Sequence, residues 1–201
     1  LVGMMAAKAS ETGTVSFVGG MDVPLIRKFA CGYAQGVLAA NPEATVIANM
    51  TGTTPTAWND PVRGAELTRS QISQGADVVY AAAGGTGIGV LQAAADEDIL
   101  SIGVDSNQNF LHPGEVLTSM LKRVDNAVYD VFSAGADGFE AGVVRMDLSN
   151  RGVGIALDGF NEAIVPFSML SEVYAAADQI VSGDLTVHDY TSDDSCPVLT
   201  F

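Results

Sequence analysis

The 201 residues correspond to roughly one domain at about 150 residues per domain, or to two small lobes sharing strands, and are enough to bury a core. With 48% apolar and 16% charged residues the chain does not read as disordered. A net charge of −15 repels phosphate backbones and anionic headgroups, so neither a nucleic-acid partner nor peripheral membrane binding is expected. No run approaches the roughly 18 apolar residues of a membrane span. No charged segment precedes the opening Leu1-Val2-Gly3-Met4-Met5, and without an initiator Met the chain reads as a mature product or a piece of a longer polypeptide.

Thr14 to Val18 forms a β-rich run closed by Gly19-Gly20. From Pro24 onward Leu25, Phe29, Tyr33, Val37 and Leu38 recur at helical spacing, which completes one βα unit. Ala44 to Met50 reads as a second strand. The polar stretch Thr51 to Asn59 then leads to a helix opened by Asp60-Pro61, an N-cap residue followed by proline at the first helical position, and running to Gly75. A third strand covers Asp77 to Ala82, followed by the turn Gly84 to Gly87 and a helix from Ile88 to Glu97. Leu100 to Val104 gives a fourth strand. Continuous apolar strands alternating with helices indicate an α/β fold with a parallel sheet flanked by helices on both faces. In such sheets the ligand crevice lies at the carboxyl ends of the strands, which singles out Gly19 to Asp22, Thr51 to Asp60, Ala83 to Gly87 and Asp105 to Gln108.

Val116 to Leu121 reads as another strand and Val124 to Ala134 as a helix with Val124, Val128, Val131 and Phe132 on one face. Val143 to Leu148 and Val153 to Leu157 are expected to pair as strands, with Ser168 to Val181 helical and no clear periodicity in Thr191 to Phe201. Cys31 and Cys196 form no CxxC pair and indicate neither a zinc cage nor a disulfide framework.

No G-x-S-x-G is present, and the two histidines, His112 and His188, read as loop residues rather than general bases. No cluster has metal-ligand spacing; Asp193-Asp194 beside Cys196 reads as a solvated tail. The expectation is therefore no catalytic residue, no metal and no cofactor. Gly84-Gly85-Thr86-Gly87 departs from both the dinucleotide and the Walker patterns, which leaves a tight turn that also lets a neutral ligand approach the backbone. Asp105, directly after a buried strand, either projects two acceptors toward vicinal hydroxyls or caps the turn with Ser106 and Asn107. Lys122 follows its strand in the same way and is either a second polyol contact or a surface lysine. Trp58 and Tyr80 are the candidate aromatic faces for a flat heterocycle; Trp58 serves equally as a loop anchor, and a tyrosine placed as Tyr80 is more often core.

Read in order, these residues resemble the basic membrane protein family of substrate-binding lipoproteins, which includes the purine nucleoside receptors of ABC importers. The resemblance rests on Phe17 to Phe29 (FVGGMDVPLIRKF), Trp58-Asn59-Asp60-Pro61, Gly75 to Val79, Ala82 to Gly87, Ile102 to Asp105 and Leu117 to Arg123. It is loose over Gly152 to Val187.

The family implies a periplasmic-binding-protein type I fold of two lobes closing on a nucleoside, with Asp105 and Lys122 at the ribose, Gly84 and Gly85 against the ligand, and Trp58 and Tyr80 near the base. It also implies ABC permease subunits as partners and a periplasmic location, or attachment through a lipidated N-terminus not found in these residues. On this reading 1–12 is the remnant of an N-terminal-lobe helix, 13–123 the ligand-binding lobe, 124–137 a helix returning to the N-terminal lobe, and 138–201 the strands and helix completing the C-terminal lobe. The exposed face of the returning helix would drive self-association, and nucleoside binding by these residues alone would be weak. Two other functions fit the same residues. One is a nucleoside-processing enzyme such as a hydrolase, which needs a second crevice carboxylate such as Asp22 or Asp60; the other is a ligand-sensing domain without transport.

Overall fold

The structure is a computed structural model that describes residues 1–138 and 142–201. Among these, six strands form one sheet in the order β2-β1-β3-β4-β5-β6. Strands β1 (Thr14–Met21), β2 (Thr45–Gly52), β3 (Val78–Ala82), β4 (Leu100–Asp105) and β5 (Val116–Lys122) run parallel, and β6 (Val153–Ile155) lies antiparallel to β5. The helices are α1 (Val2–Ala9), α2 (Pro24–Ala40), α3 (Pro61–Ile72), α4 (Thr86–Asp96), α5 (Val124–Gly138) and α6 (Phe167–Ser182). The α/β class expected from the alternating pattern is the one observed.

Period-two alternation along the central strands sorts the core into two layers. Val15, Phe17, Val78, Tyr80 and Ile102 pack with Met5, Ile26, Ala30, Tyr33, Val37, Met169 and Val173, which places α1, α2 and α6 on one face. Val18, Val79 and Ala81 pack with Val90, Leu91 and Ala94 of α4 on the other. All five residues of β3 are buried, as a central parallel strand covered on both faces requires. Helix α1 buries Met5 and Ala6 in this same core, against α2 and β5.

Local signals set several boundaries. The Asp60 carboxylate accepts from the Arg63 amide at 2.9 Å and Pro61 follows it, so α3 starts where the cap dictates. On α4, the Thr86 hydroxyl accepts from the Asp60 amide at 2.7 Å and donates to the Ala57 carbonyl at 2.8 Å, latching the end of the β2–α3 loop onto the β3–α4 turn.

Two expectations need correction. Val143 to Leu148 is not a strand: the Asn150 side chain accepts from the Asp147 amide and donates to the Arg145 carbonyl, while Asp147 accepts from Ser149. These local bonds occupy backbone groups that a strand pairing would need, and β6 pairs with β5 instead. Residues 139–141, part of the expected 138–201 region, lie outside the described residues.

The second correction concerns the cysteines, which form a disulfide, Cys31–Cys196, with Cα atoms 5.7 Å apart. The C-terminal segment turns back along α2. The Gln35 side chain both accepts from the His188 amide and donates to its carbonyl; Lys28 pairs with Asp189 at 2.7 Å, and the Arg27 guanidinium donates to the Tyr190 hydroxyl and stacks on Phe201. Residues 27, 28, 31 and 35 share one helical face, so a single surface of α2 receives the whole segment. His188 belongs to this strap, its Nε2 facing Asp193 and the Ser195 carbonyl.

Helix α5 leaves Val124, Val128, Val131 and Phe132 exposed, Phe132 by 81%.

Candidate functional site

The carboxyl ends of β1 to β5 all lie on one edge of the sheet, the edge where ligands bind in such folds. On this edge Asp105 ends β4 and Lys122 ends the adjacent β5, where the register sets Asp105 opposite Leu121. The ammonium lies 2.9 Å from the Asp105 carboxylate, and the two side chains are 55% and 43% exposed. The Lys122 ammonium also sits over the Phe29 ring, 4.9 Å from its centroid, a cation–π contact that fixes its height above the sheet. An ion pair this wet contributes little to stability. It leaves a carboxylate with free acceptor positions and an ammonium with free donors, which together suit a polyol.

Gly84, Gly85 and Trp58 come together on the same edge, after β3, which neighbours β4 in the sheet. Gly84 has φ +58° and Gly85 caps α4. Trp58 ends a 3₁₀ turn, Pro55–Trp58, and its ring lies on β1: a Cβ added to Gly20 would sit 2.3 Å from it, and one on Gly84 3.3 Å from the Trp58 carbonyl. The tryptophan thus anchors its loop and keeps a half-buried ring beside the glycine turn.

Tyr80 stands apart from the others. It is 2% exposed and packs against Phe17 and Tyr33, with ring centroids 5.5 and 5.3 Å away. Burial first, and the Asp105 charge second, hold its hydroxyl proton far above the ordinary tyrosine range. Among the described residues its hydroxyl and that of Tyr33 have no hydrogen-bond partner. A hollow of about 290 Å³ is lined by Phe29, Tyr33, Tyr80, Met120 and Lys122, so the buried Tyr80 lies in the floor of a hollow that the lysine also lines. A second hollow, about 570 Å³, lies between β6, the end of α6 and the segment around Arg145 to Ser149, and is lined by none of the candidate residues.

The two carboxylates that cleavage chemistry would recruit are both engaged. Asp22 takes a two-point bond from Arg27, at 2.6 and 2.8 Å, and that bond is the main reason its pKa is lowered. Asp60 caps α3. Among the described residues no group of three metal-ligating side chains is found.

Sequence reasoning missed Phe29 under the lysine and the polar residues behind Asp105. Gln108 accepts from the Val104 amide, Ser119 accepts from the Gln108 amide and donates to Asn109, and Asp158 accepts from Asn107 and Asn109. Gln108 had a local signal, since it ends the loop Asp105 to Gln108, and Asn109 follows it directly. Ser119 and Asp158 reach the site only through the fold.

Comparison with known proteins supplies the context. Residues 1–188 match the family model described as Bmp, ABC transporter substrate-binding protein PnrA-like. Basic membrane protein D of Borreliella burgdorferi is 35% identical over 87% of this chain and 50% of its own length. The ABC transporter nucleoside-binding protein BmpA of Lactococcus lactis is 31% identical over 93% of this chain and 56% of its own. The chain thus spans about half the length of the curated relatives it matches. An ABC transporter solute-binding protein of Aeropyrum pernix superposes with a TM-score of 0.80 at 25% identity, covering 96% of this chain and 65% of that one. The sheet, the crevice edge and the family match over nearly all of the chain lead to one conclusion: the chain belongs to the Bmp family of PnrA-like ABC transporter substrate-binding proteins.

Proposed function

We propose that the chain forms one wall of a nucleoside-binding cleft in the substrate-binding component of an ABC importer. The observation that carries this reading is the open Asp105–Lys122 pair at the carboxyl edge of the sheet, the edge that also carries Gly84, Gly85 and Trp58 after the neighbouring strands. The carboxylate accepts from the two ribose hydroxyls, the ammonium donates to one of them, the glycine turn admits the sugar to the backbone, and the Trp58 ring borders the base. A purine nucleoside fits the resemblance carried by the sequence, and the Lactococcus relative is named as a nucleoside-binding protein. The second wall and the remaining base contacts come from the portion of the relatives that this chain does not span, and the ligand passes to the permease subunits of the importer.

Binding without chemistry is favoured because Asp22 and Asp60 already have partners, which deprives a hydrolase of its second carboxylate. An extracytoplasmic location is supported by the Cys31–Cys196 disulfide, a bond that persists in oxidising compartments. Isothermal titration of inosine and guanosine, into the 201-residue chain and into a form extended at its N-terminus to the relatives' length, tests the reading. Saturable binding in the extended form and no free base after prolonged incubation are expected; release of base, or the absence of binding in both forms, contradicts it.

A further inference from the structure

Asp105 has φ +67°, a region that residues with a Cβ rarely enter, and the Ser106 amide donates to the Val104 carbonyl at 2.8 Å across it. A hydrogen bond spanning a single residue of this φ is the γ-turn in its rare, strained form. Such a conformation persists only where the surroundings over-determine it. Here they do. Strand β3 pairs with β4 only as far as Ile102, which leaves the Val104 amide to another acceptor; the Gln108 Oε1 takes it at 2.8 Å. The Gln108 amide is itself held by the Ser119 hydroxyl at 2.9 Å, and Ser119 is fully buried on β5 directly opposite Gly103. Gly103 makes the arrangement possible, since a Cβ there would lie 2.8 Å from both the Gln108 Oε1 and the Ser119 Oγ.

We infer that Gln108 is a positioning residue: by clamping the Val104 amide it forces the chain at Asp105 into the γ-turn and so aims the carboxylate at the ligand. The inference rests on the reading of Asp105 as the ligand carboxylate, but the turn can be tested without ligand. Asp105→Gly and Asp105→Ala both remove the carboxylate and the Lys122 pair, so their difference reports the backbone alone. At ordinary φ alanine is the more stable of the two; at a positive φ glycine is. Thermal unfolding should place Asp105→Gly above Asp105→Ala by about 2–4 °C, the shift that a difference near 1 kcal/mol gives in a chain of this size. Adding Gln108→Met, which removes the acceptor, should reverse that order, and Gln108→Glu, which keeps an oxygen at that position, should preserve it. Should Gln108→Met fail to fold, Gln108→Asn replaces it, being too short to reach the Val104 amide. Alanine above glycine in the unmodified background, or an order indifferent to Gln108, overturns the inference.

A second arm titrates inosine into the extended form. Gln108→Met should weaken binding about tenfold, as loss of one oriented charge-assisted contact does, and Gln108→Glu should restore it. If Asp105→Ala weakens binding while Gln108→Met does not, the positioning role fails and the site stands. If Asp105→Ala leaves binding unchanged, the site reading fails, while the melting order still decides whether Gln108 holds the turn.

Discussion

Reducing the Cys31–Cys196 bond should destabilise the protein substantially and loosen its C-terminal segment first. The two half-cystines are 165 residues apart, and closing a loop of that size removes about 5 kcal/mol of chain entropy from the unfolded state at 25 °C. Measured effects usually fall to about 2–4 kcal/mol. At about 2–4 °C per kcal/mol for a chain of this length, the midpoint of thermal unfolding should drop by roughly 5–15 °C. The loss should begin locally, because what remains on the strap after reduction is a small set of half-buried, mostly polar contacts: Lys28 with Asp189, Arg27 with Tyr190 and Phe201, and Gln35 with His188. The assay is scanning calorimetry with and without a phosphine reductant, repeated on Cys31→Ala/Cys196→Ala, with mass spectrometry to count free thiols and limited proteolysis to locate the first cuts. Alanine is chosen at position 31 because the site is fully buried and a serine hydroxyl there would need a partner. An unchanged midpoint after complete reduction, or first cuts elsewhere than in 185–201, would refute the reasoning. Two free thiols in the native protein would do the same.

Three further outcomes follow from particular residues. The Lys28 ammonium, with help from Thr191, draws the Asp189 carboxyl down to about 2. Its folded value is below its unfolded one, so its contribution is present above the ordinary carboxylate range and is lost as pH falls from about 4 toward about 2; Asp189→Asn should flatten the acid-unfolding curve there, and an unaltered curve would remove the pair from the account. With a net charge of −15, self-repulsion should fall as salt shortens the Debye length from about 10 Å at 0.1 M to about 3 Å at 1 M, so the melting midpoint should rise with sodium chloride; a fall would mean that the ion pairs outweigh the repulsion. Gly20→Ala would drive a methyl into the Trp58 ring and should cost about 1–3 kcal/mol in urea unfolding, with a red shift in the emission of this single tryptophan; an unshifted spectrum would mean that the ring does not rest on β1.

Much of the fold was legible because its signals are local. The apolar runs of β1, β3 and β4, the Asp60-Pro61 cap and the glycines after β3 each specify their own element, and the crevice follows from parallel topology. Asp105 and Lys122 could be named because each directly follows a buried strand, and the fold makes them neighbours. The disulfide had no such signal: Cys31 and Cys196 meet only because the C-terminal segment reverses along α2. Val143 to Leu148 has the composition of a strand, yet the side chains of Asp147 and Asn150 bond to the backbone and prevent one. Tyr80 was ambiguous for a physical reason. The alternation that buries it on β3 also carries it toward the strand end, and only the packing of Phe17 and Tyr33 decides that it lies in the floor.

The measurement that tests the central claim most directly pairs a deletion in the protein with one in the ligand. Inosine and 2′,3′-dideoxyinosine are titrated into the extended form, with and without Asp105→Ala. If the carboxylate holds the paired hydroxyls, the unmodified protein should prefer inosine by about 10–100-fold, the value of charge-assisted hydrogen bonds worth about 1.5–3 kcal/mol, and Asp105→Ala should erase the preference. Equal affinity for the two nucleosides in the unmodified protein, or a preference that survives Asp105→Ala, would contradict the assignment of this carboxylate to a nucleoside's sugar.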